Sequence, residues 1–422
     1  MTLHRFRALR PPSNDAAAAL ACVPYDVVSS DEARAMLADA PASFLRVVRP
    51  EATLPAGTDE HADAVYAAGA EHLAALVRTG DLTRDATPGL YAYRLGWRGR
   101  AMTGLFACVA VADYDAGRIV RHELTRPDKE DDRTRHLLAQ AAHAEPVMLA
   151  FRDDARLGAL LAAVQSAEPL YDFDADAAGA PGEAVRHTLW RFSDAAAAEV
   201  QEAFAAVPAL YVADGHHRCK AASRAYHALA DAGTAGPDNP GGEGVANEAA
   251  FFPAALFPVG EMRILPYHRV VAGVPETFEA DLRARFAVVD DAPMLPERAG
   301  DVSVYLGDGR WAGLTLPDTA SDAVADRLDV ARLAEHVLAP LLGVTDARTD
   351  ARLGFVGGIR GPEELARRVD DARADGQSMV AFAMYPTQMH ELLAVSDAAE
   401  LMPPKSTWFE PKLRSGLLVH TF

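Results

Sequence analysis

Residues 211–222 read Tyr-Val-Ala-Asp-Gly-His-His-Arg-Cys-Lys-Ala-Ala, and this stretch is the strongest indication of local structure in the sequence. An apolar run ends in the polar pair Asp214-Gly215, and residues suited to a helix follow. Glycine permits backbone conformations with positive φ that other residues resist, and it lets the backbone approach a ligand closely. The stretch predicts a buried strand, a tight turn and a helix that begins near His217.

The turn carries the groups that an anion site requires. The first N–H groups of a helix have no partner within the helix and attract negative charge. Arg218 adds a guanidinium group that can bind phosphate through two hydrogen bonds. Asp214 can orient a histidine, bind a metal or accept a proton, while His216 and His217 point in different directions. We therefore predict phosphate binding at residues 214–218; a helix cap with packing histidines is the alternative.

Composition limits the class of protein. The chain has 422 residues, half of them hydrophobic, and its net charge is −19. Such a length predicts two or three domains of about 100–200 residues each. The acidic balance argues against a nucleic-acid partner, because neutralising a phosphate backbone needs a basic surface.

Membrane insertion and secretion are not expected. No apolar run reaches the roughly 18 residues of a membrane-spanning helix, and the N-terminal residues lack the apolar stretch of a signal peptide. The three cysteines are widely spaced and form no CxxC pair. Such cysteine usage suits a reducing compartment, so we expect a cytoplasmic protein.

Hairpin and helix signals alternate irregularly, which favours an α+β architecture over a repeating βαβ sheet. A helix at 128–143 and a buried strand at 146–151 are predicted ahead of the turn, and residues 44–49 are predicted to form a strand. We divide the chain into an N-terminal α+β region at 1–117, a phosphate-binding core at 118–232 with an insertion at 152–207, a Gly- and Pro-rich linker or loop at 233–249, and a C-terminal α+β region at 250–422.

The turn resembles the G-x-x-R phosphate-binding turn of the ParB/sulfiredoxin superfamily, with Gly215 and Arg218 at the two motif positions. In the free-serine kinases of that superfamily the turn reads Asp-Gly-His-His-Arg, as it does here. The rest of the chain resembles the domain-of-unknown-function family numbered 1015. The matching segments are Pro24-Tyr-Asp-Val27, Ser43-Phe-Leu-Arg-Val47, Arg49-Pro-Glu51, His122-Glu123, Lys129-Glu-Asp-Asp-Arg133, the turn, and Met402-Pro-Pro-Lys-Ser-Thr407 through Pro411-Lys412.

The resemblance implies a ParB/sulfiredoxin-like mixed-sheet core with large additional α+β regions. It also implies a small-molecule phosphotransferase that moves phosphate from ATP or ADP to the hydroxyl group of serine or a similar metabolite. Mg²⁺ would bridge the phosphate oxygens, and the phosphates would lie on residues 215–218. The resemblance places the base of the serine kinases ahead of this helix; Glu123 precedes the predicted helix here, so it is the expected acceptor of the hydroxyl proton. The other expected catalytic residues are Asp214, His216 and His217, and no residue is assigned as a metal ligand.

Other polar side chains are candidate contacts for the phosphate or the substrate. They are Lys129, Arg133, Lys405, Ser406 and Thr407 for the phosphate, and Asp26, His268 and Arg269 for the substrate. Lys129 stands at a helix start, where a positive charge is unfavourable unless it meets an anion. Lys405 lies in a proline-framed segment that also fits a purely structural role, and Lys412 stays open between the two roles.

The sequence also allows three other functions. A nucleotide-sensing or partner-binding protein would keep the pocket without transfer chemistry. A DNA-binding role like that of ParB is disfavoured by the charge of −19. A metal-dependent hydrolase is disfavoured because adjacent histidines on a helix face different ways, whereas i,i+4 spacing places two ligands on one face. We expect a nucleotide and a small molecule as partners, with no nucleic acid and no membrane.

Overall fold

The computed structural model describes residues 1–233 and 248–422. The strands are β1 (Leu3–His4), β2 (Leu9–Arg10), β3 (Thr83–Arg84), β4 (Tyr91–Trp97), β5 (Arg100–Ala110), β6 (Ile119–Val120), β7 (Ala142–His143), β8 (Val147–Phe151), β9 (Tyr171–Ala177), β10 (Ala180–Arg191), β11 (Leu210–Asp214), β12 (Phe251–Pro258), β13 (Ile264–Leu265), β14 (Tyr267–Ala272), β15 (Val289–Asp290), β16 (Asp301–Tyr305), β17 (Trp311–Thr315), β18 (Leu353–Gly357), β19 (Met379–Met384), β20 (Trp408–Phe409) and β21 (His420–Thr421).

The helices are α1 (Asn14–Leu20), α2 (Ser30–Asp39), α3 (Leu45–Val48), α4 (Asp63–Thr79), α5 (Val111–Asp115), α6 (Pro127–Gln140), α7 (Ala155–Val164), α8 (Asp194–Phe204), α9 (His216–Asp231), α10 (Phe278–Arg285), α11 (Asp329–Leu333), α12 (Ala339–Leu342), α13 (Glu363–Ala374) and α14 (Met389–Asp397). None of the helices in the described parts of the chain has the length and hydrophobicity that a membrane span needs.

The chain divides into two compact units. Unit 1 comprises Met1–Met262 together with Pro411–Phe422, and unit 2 comprises Arg263–Glu410. The C-terminal residues therefore fold with the first part of the chain. Most of the predicted linker at 233–249 lies outside the described residues, and the division of the first 232 residues into a region and a core stays a prediction.

Unit 1 is built on a mixed sheet with the strand order β6-β11-β8-β12-β5-β4-β10-β9, and β1 also pairs with β5. Strand β11 is parallel to β6 and antiparallel to β8, while β8 is parallel to β12. Residues between β8 and β11 form α7, the hairpin β9–β10 at the far edge of the same sheet, and α8. Parallel and antiparallel neighbours in one sheet with flanking helices confirm the predicted α+β class.

The strands next to the turn are apolar because both of their faces are covered. Every residue of β8 is buried, as are the first four of β11. Strands covered on both faces read as continuous hydrophobic runs instead of alternating ones. Leu157 of α7 and Phe204 of α8 lie in the same core cluster as Leu149 and Val212 of these strands, so the strand that leads into the turn is firmly held.

The strand predicted at residues 44–49 is wrong, because Leu45–Val48 forms the short helix α3. Phe44, Leu45, Val47 and Val48 are buried with Leu73 of α4. A short apolar run is consistent with either a strand or a buried helix, so periodicity alone does not separate them.

Unit 2 contains its own antiparallel sheet, with the order β15-β17-β16-β19-β14-β18. Helix α13 packs on this sheet through Leu365 and Val369, which share a core cluster with Val270, Tyr305 and Ala381. A separate pair, β13 with β20, joins the start of the unit to the segment after the proline-framed loop.

Candidate functional site

The predicted strand, turn and helix are confirmed at residues 210–231. Gly215 caps α9 with φ +100° and ψ 33°, a left-handed conformation that disfavours any side chain. A Cβ atom at Gly215 would lie 3.1 Å from the guanidinium group of Arg218 and 3.1 Å from a methyl group of Val147. The register of β11 against β8 also shifts between Val212 and Asp214. Such bulges re-aim side chains and are frequent beside functional sites.

Arg218 is buried at the first turn of α9. Its Nη1 donates to the carbonyl oxygen of Pro146, and its Nη2 lies 3.2 Å from Oδ2 of Asp214. Burial opposes the charge on Arg218, but the carboxylates of Asp214, Asp26 and Glu145 outweigh it and raise the pKa of the guanidinium group. Nε of Arg218 has no hydrogen-bond partner among residues 1–233 and 248–422. The guanidinium group is charged and fixed, and one of its donors is buried without a partner in the described residues.

Asp214 is held by two cations. Nζ of Lys412 lies 3.6 Å from the same Oδ2 that Arg218 contacts. Burial favours the neutral acid, yet Lys412 and Arg218 reverse that effect and lower the pKa of Asp214 to about 2. Asp214 is therefore a carboxylate at neutral pH. The sequence leaves the role of Lys412 open, because 198 positions separate it from Asp214; only the folded chain brings it to the turn.

His216 and His122 form a buried pair beside Asp214. Their rings meet edge to face with centroids 4.5 Å apart. Burial lowers the pKa of His122 to about 4 and holds that of His216 well below its usual value, so both are neutral at pH 7. Nε2 of His216 has no hydrogen-bond partner in the described part of the chain. A buried polar atom without a partner costs free energy, which makes this nitrogen a candidate ligand contact.

His217 fixes the segment that leads into α6. The backbone N–H of Arg126 donates to Nε2 of His217 at 3.1 Å. Glu123 lies between Arg126 and His122, and each of these residues touches one histidine of the turn. Three residues span at most about 11 Å when fully extended, so the backbone of Glu123 is confined to the neighbourhood of the turn. The Glu123 side chain is half-buried and takes part in interactions of its own.

A buried carboxylate that was not predicted lies behind the turn. Oε1 of Glu145 accepts the backbone N–H of Tyr25 at 3.0 Å, and its Oε2 lies 3.8 Å from Nη1 of Arg133. Burial raises the pKa of Glu145, although Arg218 and Arg133 pull in the other direction. No pattern in the sequence marks Glu145, which precedes a proline at a strand start. It links two guanidinium groups that were predicted separately.

Arg133 and Asp26 therefore belong to the surroundings of the turn. Arg133 is buried, donates two hydrogen bonds to Asp132 and stacks over the ring of Tyr25 at 4.0 Å. Asp26 is exposed and follows Tyr25 directly. Its charge contributes to the raised pKa of Arg218. The predicted roles of both residues stay predictions.

Lys129 lies in the first turn of α6 and is half-buried. Among the residues that the structure describes, its ammonium group meets no carboxylate within ion-pair distance. Asp128 and Glu130 on either side of it are the favourable charges for a helix N-terminus, whereas Lys129 is not. The predicted phosphate contact of Lys129 stays a prediction.

The remaining predicted contacts lie in unit 2. His268 is fully buried in β14, its Nδ1 accepts the N–H of Met384, and burial lowers its pKa to about 3. Arg269 is buried and donates to the carbonyl oxygen of Lys405 at 3.1 Å. Burial lowers the pKa of Arg269 to about 10.

The proline-framed loop is ordered by its own contacts. Lys405 has φ +58° and places its ammonium group 5.6 Å from the ring of Tyr267. The hydroxyl group of Ser406 donates to the carbonyl oxygen of Pro403, and Thr387 donates to the carbonyl oxygen of Ser406. Thr407 is half-buried. Binding roles for these residues stay predictions.

Cavity size alone would not have located the turn. A cavity of about 1170 Å³ in unit 1 is lined by α4, by Phe6 and by the C-terminal residues 420–422, and none of the predicted site residues lines it. A much smaller one, about 30 Å³, is lined by Arg133, Glu145 and Arg218. The chemistry of the turn, and not the volume beside it, identifies the candidate site.

No curated protein matches the sequence. Solved structures similar to this chain include a free serine kinase in complex with AMP, with 13% identity and a TM-score of 0.34 over 74% of this chain and 92% of that one. They also include a C-terminally truncated SbnI from Staphylococcus aureus, with 12% identity and a TM-score of 0.36 over 74% of this chain and 86% of that one. A conserved hypothetical protein from Pyrococcus furiosus has 12% identity and a TM-score of 0.33 over 74% and 95%.

Those TM-scores are too low to assign a function. The sequence comparison is more decisive, because the model of a protein family of unknown function, DUF1015, matches residues 3–331. That match covers most of the chain and includes the turn, Glu123 and β8. The protein belongs to the DUF1015 family.

Proposed function

We propose that this protein is a small-molecule phosphotransferase that moves phosphate from ATP or ADP to the hydroxyl group of serine or a similar metabolite. The observation that carries the proposal is the turn at residues 214–218. A left-handed glycine caps a helix there, between a fixed guanidinium group and a segment that carries a glutamate. The resemblance of Asp-Gly-His-His-Arg to the turn of the free-serine kinases, and through it to the ParB/sulfiredoxin superfamily, supports this choice.

The nucleotide phosphates would bind at the N-terminus of α9. Gly215 has no side chain, so a phosphate oxygen can approach the first N–H groups of the helix, where the helix dipole favours negative charge. Arg218 supplies a charged group whose buried Nε has no hydrogen-bond partner in the described residues. His216 is neutral, and its Nε2 can donate a hydrogen bond to an oxygen without adding charge. Lys129 lies on the adjoining helix and would meet a terminal phosphate.

Glu123 would accept the proton of the substrate hydroxyl group. A general base must come within hydrogen-bond reach of that proton, directly or through one water. The contacts of His122 with His216 and of Arg126 with His217 hold the chain on both sides of Glu123 beside the turn. In this arrangement the base and the phosphate site are parts of one rigid constellation, which suits a reaction that depends on positioning.

We propose that a magnesium ion would be held mainly by the nucleotide. No group of three or more His, Cys, Asp or Glu side chains that could hold a metal is present in the described part of the chain. Mg²⁺ usually keeps several waters and binds through one or two carboxylates plus substrate phosphates. Asp214 is ionised and adjoins the proposed phosphate position, so it is the residue that we assign as the protein ligand of the ion. Bound there, the ion would neutralise charge on the phosphate oxygens.

Product analysis tests the proposal. The purified protein is incubated with L-serine, Mg²⁺ and either ATP or ADP, and phosphoserine is measured by mass spectrometry beside an Arg218→Ala variant. We expect phosphoserine from the wild type and at least about a 100-fold smaller amount from the variant, because the phosphate loses its fixed charge-assisted donor. Thermal unfolding of both proteins shows whether the variant is folded.

The same experiment separates the second candidate function. Nucleotide binding without any product from serine or from related alcohols would favour a nucleotide-sensing protein. Absence of nucleotide binding in the wild type would contradict both functions.

A further inference from the structure

The C-terminal segment Pro411–Phe422 is part of unit 1, although unit 2 precedes it in the chain. It also lies beyond the residues that the family model matches. Cys22 and Ser415 exchange two backbone hydrogen bonds, of 3.1 and 3.0 Å, and a second such pair forms farther along the segment. These bonds anchor to unit 1 the segment that carries Lys412 near its start.

We propose that Lys412 is a further phosphate-binding residue of this turn; the inference rests on the proposed function. Its ammonium group and the guanidinium group of Arg218 both lie within 4 Å of Oδ2 of Asp214. Asp214 immediately precedes Gly215, the N-cap of α9, so both cations contact the residue that leads into this helix N-terminus. A phosphate at the helix N-terminus would give the two cations that share Asp214 a second anion to bind.

The choice of lysine fits this role. Only four of the 41 basic residues of the chain are lysines, so arginine serves at nearly every other basic position. Lysine is a compact charge on a flexible stem, whereas arginine is a rigid fork. The side chain of Lys412 is 10% exposed. Its stem is therefore packed, and its ammonium group lies at the carboxylate that precedes the helix N-terminus.

The test compares nucleotide with nucleoside. Lys412→Met keeps a long packed stem and removes the charge, and Lys220→Ala on the half-buried face of α9 is the matched lysine control. Isothermal titration measures the affinities for ADP and for adenosine. We expect Lys412→Met to weaken ADP binding about 10-fold or more, since a charge-assisted hydrogen bond is lost. Its adenosine affinity should change less than about 2-fold, and Lys220→Ala should bind both ligands as the wild type does.

Three results overturn the inference in distinguishable ways. Wild-type affinity for ADP in Lys412→Met removes Lys412 from the phosphate site but leaves the proposed function standing. An equal loss for ADP and adenosine shows that Lys412 only supports the structure of the pocket. A wild-type protein that binds neither ADP nor ATP contradicts the proposed function as well. Should Lys412→Met fail to fold, Lys412→Gln is measured against the same criteria.

Discussion

At the scale of single residues, Gly215 is the position that the proposed function depends on most. Its φ of +100° disfavours every other residue, and an added Cβ atom would crowd Arg218. We expect Gly215→Ala to cost about 1–2 kcal/mol of stability, from the left-handed backbone, and also to weaken ADP binding. Gly80 is a matched control, because it has φ +81° with nothing within 4 Å of the Cβ position.

Urea unfolding and ADP titration distinguish the two effects. Gly80→Ala should lose a similar amount of stability without any change in ADP affinity. If Gly215→Ala binds ADP as tightly as Gly80→Ala does, the helix N-terminus is not the phosphate site.

Asp214 predicts a pH dependence of stability. Its pKa is about 2 in the folded protein and about 3.9 in an unfolded chain. A lowered folded pKa stabilises the protein above the unfolded value, and this contribution is lost as the pH falls from about 4 to about 2, because the unfolded state binds the proton first. The difference in unfolding free energy between wild type and Asp214→Asn should therefore shrink by roughly 2 kcal/mol over that interval. Urea unfolding at several pH values measures it, and a difference that stays constant would contradict the assignment.

At the scale of elements, the contact between α9 and the segment that leads into α6 confines the backbone near Glu123. His217→Leu removes the acceptor of the Arg126 N–H, whereas His217→Gln offers an acceptor at a similar distance along the side chain. We expect the leucine variant to lower kcat for phosphoserine formation about 10-fold, a typical effect of misplacing a catalytic group, with KM for nucleotide nearly unchanged. The glutamine variant should recover part of kcat. Equal kcat for both variants would show that this hydrogen bond does not position the base.

Local sequence signals predicted these elements to different degrees. The strand, turn and helix at 210–231 were predictable because the residues that define them are contiguous. They include Gly215, whose positive φ suits glycine. Residues 44–49 were not predictable, since Phe44 and Val48 are equally suited to a buried strand and to the buried helix α3. Nothing local separates those two outcomes; packing against α4 decides between them.

At the scale of the whole molecule, unit 1 needs the C-terminal segment for its core. Leu417 is 1% exposed and Leu138 is 38% exposed. We expect Leu417→Ala to cost about 2–5 kcal/mol of unfolding free energy, and Leu138→Ala less than about 1 kcal/mol, because only the first leaves a buried cavity. Denaturant unfolding followed by tryptophan fluorescence compares them. Similar small losses in both variants would mean that the segment contributes little to unit 1.

The C-terminal segment joins unit 1 only in the folded chain. The sequence alone therefore predicts only part of the site. Gly215 and Arg218 can be recognised within one short stretch of sequence. Glu123 was predicted from the order of the elements around it. Lys412 and Glu145 reach the turn through backbone pairing and burial that join distant parts of the chain. Neither residue stands in a pattern that chemistry alone would single out.

The rate of phosphoserine formation in wild type and in Glu123→Gln tests whether the protein is a phosphotransferase with Glu123 as its general base. With saturating ATP or ADP, Mg²⁺ and L-serine, we predict that the wild type forms phosphoserine. The Glu123→Gln variant should bind nucleotide with unchanged affinity and form product at least about 100-fold more slowly, because general-base catalysis contributes roughly 10²–10⁴-fold. A wild type that binds nucleotide and forms no phosphoserine would contradict the proposed activity. A variant as fast as the wild type would contradict the role of Glu123 as the base.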